Sequence, residues 1–132
     1  MTRRKIREAI YLLLFRVEYY PPEALEEQER LFMSDRDEPI TVEDEERIRD
    51  RFEQILDHLP EIDDLIESET TGWDISRIAK TDLAIIRLAL YEIKFDESVP
   101  TGVAINEAVE LARKYGQDSA PSFVNGVLAK FA

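Results

Sequence analysis

Apolar residues recur along this chain at helical spacing, and no stretch shows the alternation of a half-buried strand. The densest stretch is Lys80 to Lys94. There Leu83, Ile86, Leu90 and Ile93 form one stripe, and Ile85, Leu88 and Ala89 extend apolar surface almost all the way round. A helix apolar on most faces is buried from several sides, so this segment predicts the centre of a helical domain. Thr81 stands where a cap could sit, with Asp82 in the positively polarised first turn.

Other elements follow from the same periodicity. Ile6, Ile10, Leu13, Leu14 and Val17 predict a helix from Thr2 to about Tyr20, ended by Pro21-Pro22. Glu23 to Met33 predicts a weaker helix carrying Ala24, Leu25, Leu31 and Phe32, and Ser34 to Thr41 reads as an exposed loop. The next helix starts near Thr41, where Thr41-x-x-Asp44 approximates a capping box, and runs through Ile48, Phe52, Ile55, Leu56 and Leu59. Pro60 is expected to break or restart it, with Ile62, Leu65 and Ile66 on a further short helical face. Thr70-Thr71-Gly72 marks the clearest internal boundary, and Trp73 and Ile75 lead into a short helical turn. Phe95 to Pro100 connects to a helix over Val103–Tyr115 with Val103, Ala104, Ala108, Leu111, Ala112 and Tyr115 on its apolar side. Gly116 falls where a left-handed cap belongs. Asp118 or Ser119 can cap a last helix with Pro121 in its first turn, buried through Phe123, Val124, Val127, Leu128 and Phe131.

Composition narrows the function classes. At 132 residues, with 44% hydrophobic and 35% charged positions, the chain fits one folded all-α domain. It contains no cysteine, which removes disulfides and thiolate metal sites and suits a reducing cytoplasm. No apolar run nears the roughly 20 residues that span a bilayer, and Tyr11–Phe15 is too short for a signal segment. The net charge is −12 but unevenly spread. Residues 1–22 carry five bases and two acids, whereas residues 23–69 carry five bases and nineteen acids. The mean field repels nucleic acid, yet screening beyond roughly 8 Å leaves room for a local cationic site.

Catalytic chemistry is poorly supported. The lone His58 has no nucleophile beside it and reads as a surface residue; Glu43-Asp44-Glu45-Glu46 reads as a solvated helix start. There is no phosphate loop, HExxH or GxSxG pattern, and no cofactor is expected. The basic island is more informative. Arg3, Arg4, Lys5 and Arg7 crowd a helix start, where cations oppose the helix dipole, and phosphate is the obvious compensating partner. An ordinary solvated basic terminus is the competing reading. A second polar cluster, Arg113, Lys114, Gln117, Asp118, Ser119, Ser122 and Asn125, surrounds Phe123. An exposed aromatic there could stack an unpaired base. Spacing alone favours Phe123 as core.

Trp73-x-x-x-Arg77, Asp82-x-x-Ile85-Ile86-Arg87-Leu88-Ala89-Leu90-Tyr91-Glu92, Pro100, Ala104–Ala112 and Phe123–Leu128 together resemble the NusB family of transcription antitermination factors. Arg3-Arg4-x-x-Arg7-Glu8 before an apolar helix resembles it too, whereas residues 23–69 match only in helical character. The resemblance implies a single all-α domain of two packed three-helix subdomains, about residues 1–69 and 70–132. It implies a cytoplasmic, non-enzymatic adaptor that binds single-stranded boxA-type RNA together with the ribosomal protein NusE, and indirectly the RNA polymerase antitermination complex. Some members self-associate. The family's arginine-rich start falls on Arg3, Arg4, Lys5 and Arg7, and its C-terminal RNA-contacting turn on Ser119 and Phe123, with Asn125 adjacent and Lys114 in the same cluster. The NusE-facing surface includes the positions of Phe15 and Asp82; Ser119 stands where an acidic or amide residue is common. The alternative is a helical protein-interaction module or homodimer that hides the basic start in its own interface.

Overall fold

A computed structural model describes residues 1–69 and 74–132. Among these described residues six α-helices carry the fold: α1 (Arg3–Arg16), α2 (Leu25–Ser34), α3 (Val42–Glu69), α4 (Lys80–Phe95), α5 (Thr101–Tyr115) and α6 (Ala120–Ala129). Single 3-10 turns at Pro22–Ala24 and Ile75–Arg77 precede α2 and α4, and no strand occurs among the described residues. The fold is all-α, as the periodicity predicts. The anticipated boundary at Thr70-Thr71-Gly72, and Trp73 beside it, lie outside the described residues. Contacts group the chain into two units, Met1–Leu56 and Asp57–Ala132, divided within α3.

In the first unit α1 packs on α2. Ala9, Ile10, Tyr11, Leu13 and Leu14 of α1 are buried, as are Phe32 and Met33 of α2 and Ile48, Phe52 and Ile55 of α3. Each large apolar side chain so removed from water contributes roughly 1.5–3 kcal/mol. α1 ends at Arg16, four residues before the expected Tyr20, where the chain tightens into turns: the Val17 N–H donates to the Leu14 carbonyl at 3.1 Å and the Tyr19 N–H to the Arg16 carbonyl at 3.0 Å. The Thr2 hydroxyl caps α1 by accepting from the Lys5 N–H at 3.1 Å. The Thr41 hydroxyl caps α3 by accepting from the Asp44 N–H at 3.1 Å. The Asp44 carboxylate is not spent on closing the box. It accepts from the Met1 ammonium at 2.9 Å, and that bond holds its pKa below the ordinary carboxylate value despite desolvation.

Pro60 neither breaks nor restarts α3, which runs unbroken from Val42 to Glu69. Proline inside a helix costs about 3 kcal/mol through a lost hydrogen bond and a clash. Burial of Ile55, Ile62 and Ile66 along the same helix offsets this, while Pro60 itself is exposed.

Glu29 is an acid removed from water. It is 5% exposed on α2, and burial, then Glu53, raise its carboxyl pKa from 4.5 to about 7. The folded chain therefore holds this proton more tightly than the unfolded chain. The contribution of Glu29 is full below about pH 4.5 and is lost as pH rises through about 7. Glu29→Gln, which stays neutral, is expected to stabilise the protein at pH 8 by roughly 1–2 kcal/mol and to leave it unchanged at pH 4.5, read from urea unfolding at both pH values.

In the second unit α4 packs against both α5 and α6, which also pack on each other. Ten consecutive residues of α4, Leu83 to Glu92, are buried. The helix starts from Ala79 without a side-chain cap, so Thr81 lies inside the first turn rather than capping it. Arg87 of α4 donates from Nε and Nη2 to the two carboxylate oxygens of Asp63 on α3, both at 2.9 Å. His58 is not a plain surface residue: its ring stacks on Phe95 at 4.2 Å between centroids, with parallel planes. α5 begins at Thr101, two residues ahead of the expected Val103, and Val103 is 45% exposed rather than on the buried side.

Candidate nucleic-acid interface

The predicted site residues fall into two groups, one on each unit. In the first unit the opening turn of α1 presents Arg3, Arg4 and Lys5 to solvent, with Arg7 half-buried one turn on. No acidic residue occupies this turn. The Lys5 ammonium lies 3.6 Å from the Glu38 carboxylate, but both side chains are more than half exposed, and such pairs contribute little. Cations crowded at a helix N-terminus oppose the helix dipole, so this surface gains from a bound polyanion.

Phe15, the expected partner-facing aromatic, is half-buried on α1. Its ring lies 6.5 Å from Tyr11 and 5.1 Å from Tyr19, and Tyr19 is 56% exposed. The three rings form a ladder at i, i+4 and i+8. That spacing is legible in the sequence, although only Phe15 was singled out by resemblance. Sequence reasoning also missed Arg16 and Arg36, whose guanidinium groups each sit 5.3 Å from the Phe32 ring centroid at cation–π range.

In the second unit Lys114 at the end of α5, Ser119 in the α5–α6 turn and Asn125 on α6 are exposed, and Phe123 on α6 is half-buried. Ser119 occupies the N-cap position of α6, but its hydroxyl makes no capping bond, so it is not committed to the helix. The Lys114 ammonium lies 5.5 Å from the Tyr115 ring centroid. Gly116 does not adopt the left-handed conformation expected of it: φ is −91° and ψ 177°, ordinary extended backbone. Its need for glycine is steric. A Cβ there would stand 2.4 Å from Ala120 Cβ and 2.9 Å from the Ala112 carbonyl oxygen.

The same position explains where Asp82 lies. Its Oδ1 would be 3.3 Å from that Cβ, so the start of α4 abuts the α5–α6 turn. Asp82 is half-buried, and desolvation raises its carboxyl pKa against a long 3.5 Å hydrogen bond from the Thr81 hydroxyl. Asp82 is thus brought beside the turn that bears Ser119 and leads into α6, the helix of Phe123. Arg3, Arg4, Lys5 and Arg7 stand together with Phe15 on α1.

No group of three or more His, Asp or Glu among the described residues is placed to hold a metal ion. No helix among them is long and apolar enough to cross a membrane.

Six helices among the described residues, with α4 packed against both α5 and α6, and two polar surfaces at helix starts that carry cationic and aromatic side chains, define an all-α protein. Residues 4–132 match the profile described as the NusB family. The chain is 53% identical to the transcription antitermination protein NusB of Agathobacter rectalis over the full length of both. It is 53% identical to that of Lachnoclostridium phytofermentans over 98% of each. Its fold is similar to the solved structure of T. maritima NusB, with a TM-score of 0.87 and 34% identity over 100% of this chain and 91% of that one. It also resembles a chain in the crystal structure of the antitermination factors NusB and NusE in complex with dsRNA, with a TM-score of 0.80 and 25% identity over 99% and 97% of the two chains. This chain belongs to the NusB family.

Proposed function

We propose that this protein is a non-enzymatic, cytoplasmic adaptor of transcription antitermination. It binds boxA-type RNA together with the ribosomal protein NusE and so acts on RNA polymerase indirectly. The observation that carries the reading is the α1 start, where Arg3, Arg4 and Lys5 stand exposed with no acid in their turn, on a chain of the NusB family. The NusB–NusE–RNA complex of a relative supports the choice of partners.

In this reading Arg3, Arg4, Lys5, Arg7 and Lys114 hold phosphates, and the Phe123 face stacks an unpaired base. Ser119 and Asn125 supply hydrogen bonds to base edges or sugar. Phe15 and Asp82 face NusE. Five phosphate contacts on a single strand give a slope of log K against log salt of about −3.5, from about 0.7 per contact. Fluorescence anisotropy with a boxA RNA, with and without NusE, should return that slope. Arg4→Ala should make it shallower by about 0.7. Phe123→Ala should weaken binding about tenfold at unchanged slope, the mark of a lost stacking contact. Single- and double-stranded forms of the RNA, run side by side, decide which form is the ligand. No binding to either at low salt, with or without NusE, would instead favour a module that binds proteins alone.

A further inference from the structure

We propose that the acidic cleft between α2 and α3 is a receptor for an arginine side chain on a basic segment of a partner protein. The cleft, of about 600 Å³, is lined by five glutamates against two arginines. Both resident cations are already in ion pairs: Arg49 donates to Glu45, outside the lining, at 2.7 Å, and Arg30 to Glu27, one of the five, at 3.4 Å. Glu23, Glu26 and Glu53 have no ion-pair partner among the described residues.

At the base of this charge sits Glu29, 5% exposed, whose Oε1 is buried without a hydrogen-bond donor. A buried acceptor left unsatisfied is costly, and a native chain that keeps one gains from whatever brings the missing donor. A metal ion does not fit, since no three acidic or histidine side chains among the described residues are spaced to ligate one. Guanidinium fits better than ammonium. It carries five donors in a planar fork, stays charged when desolvated, and is the more weakly hydrated of the two. The surrounding excess of glutamate then steers a basic segment toward the cleft.

Binding of this kind is linked to protons. The groups facing Glu29 are Glu26 on its own helix and Glu53 and Arg49 on α3, and burial with Glu53 holds its pKa at about 7. Guanidinium binds the ionised form, so affinity should rise severalfold from pH 6 to pH 7 and level off above pH 8.

The test uses the full chain and the peptide acetyl-Gly-Arg-Gly-Arg-Gly-amide at low salt, followed by backbone amide NMR shifts and calorimetry. The expected result is shifts concentrated in residues 23–30 and 49–53, and at least fivefold weaker binding in Glu29→Gln and Glu53→Gln. The lysine peptide should bind more weakly than the arginine peptide. Glu46→Gln, an exposed change elsewhere on α3, should alter neither, and Glu29→Gln should leave RNA affinity intact, which separates this inference from the RNA reading. Shifts spread over the whole acidic surface, equal losses in Glu46→Gln, or affinity flat between pH 6 and 8 would overturn it. So would guanidinium chloride binding as tightly as the peptide, which would make the cleft a site for small cations.

Discussion

Asp63→Ala is expected to lower the unfolding free energy by about 3 kcal/mol, the range found when one partner of a buried ion pair is removed. The Arg87 side chain is 6% exposed and that of Asp63 29%, so the pair lies nearer the interior than the surface. Its two parallel 2.9 Å bonds match the guanidinium fork to both carboxylate oxygens. Removing the carboxylate leaves a cation inside a helix whose neighbours are Leu83 to Leu90. Asp63→Asn, which keeps one acceptor, should cost roughly half as much. Replacing both residues, Asp63→Leu with Arg87→Met, should recover most of the loss, because the desolvation penalty of both charges disappears together. Urea unfolding of the three variants checks this. A loss below about 1 kcal/mol for Asp63→Ala would mean that the pair behaves as a surface bridge.

Gly116→Ala is expected to destabilise by about 2–3 kcal/mol, as overpacking of a rigid contact does. The new methyl would meet Ala120 Cβ at 2.4 Å and the Ala112 carbonyl oxygen at 2.9 Å, and neither is the end of a flexible side chain. Relief requires α6 to move away from the end of α5, carrying Ser119 and Phe123 with it. RNA affinity should therefore fall together with stability. Gly116→Asn distinguishes the cause. Asparagine tolerates left-handed backbone and would be mild at such a cap. Here it should be no better than alanine, because the backbone is extended and the obstacle is space. Thermal melts of the two variants compare them directly.

Much of the fold was legible because it is local. The stripe of α4 predicted a buried central helix, and ten successive buried residues confirm it. The Thr41 hydroxyl does cap α3, as its spacing from Asp44 suggested. What escaped the sequence depended on distant packing. Pro60 obeys a local rule that would end a helix, but Ile55, Ile62 and Ile66 are buried along the unbroken helix around it. Asp63 and Arg87 are 24 positions apart, and nothing in either helix alone announces their pairing. Glu29 is one acid among nineteen in its region, and only three-dimensional burial sets it apart. Gly116 shows a subtler limit, since glycine serves both positive φ and close approach, and the sequence carries no mark of which. For the candidate site, the charge count exposed the α1 start, whereas the adjacency of Asp82 to the α5–α6 turn arises from helix packing.

The two shifted carboxyls of the first unit respond to acid in opposite senses. Asp44 strengthens the fold while ionised and fails it only once its proton returns, below its ordinary value of 3.8. Glu29 strengthens the fold while protonated and withdraws that help on the way up to about 7. Between those limits both act together, so mild souring of the medium should tighten this unit, and its most robust condition should lie short of neutrality.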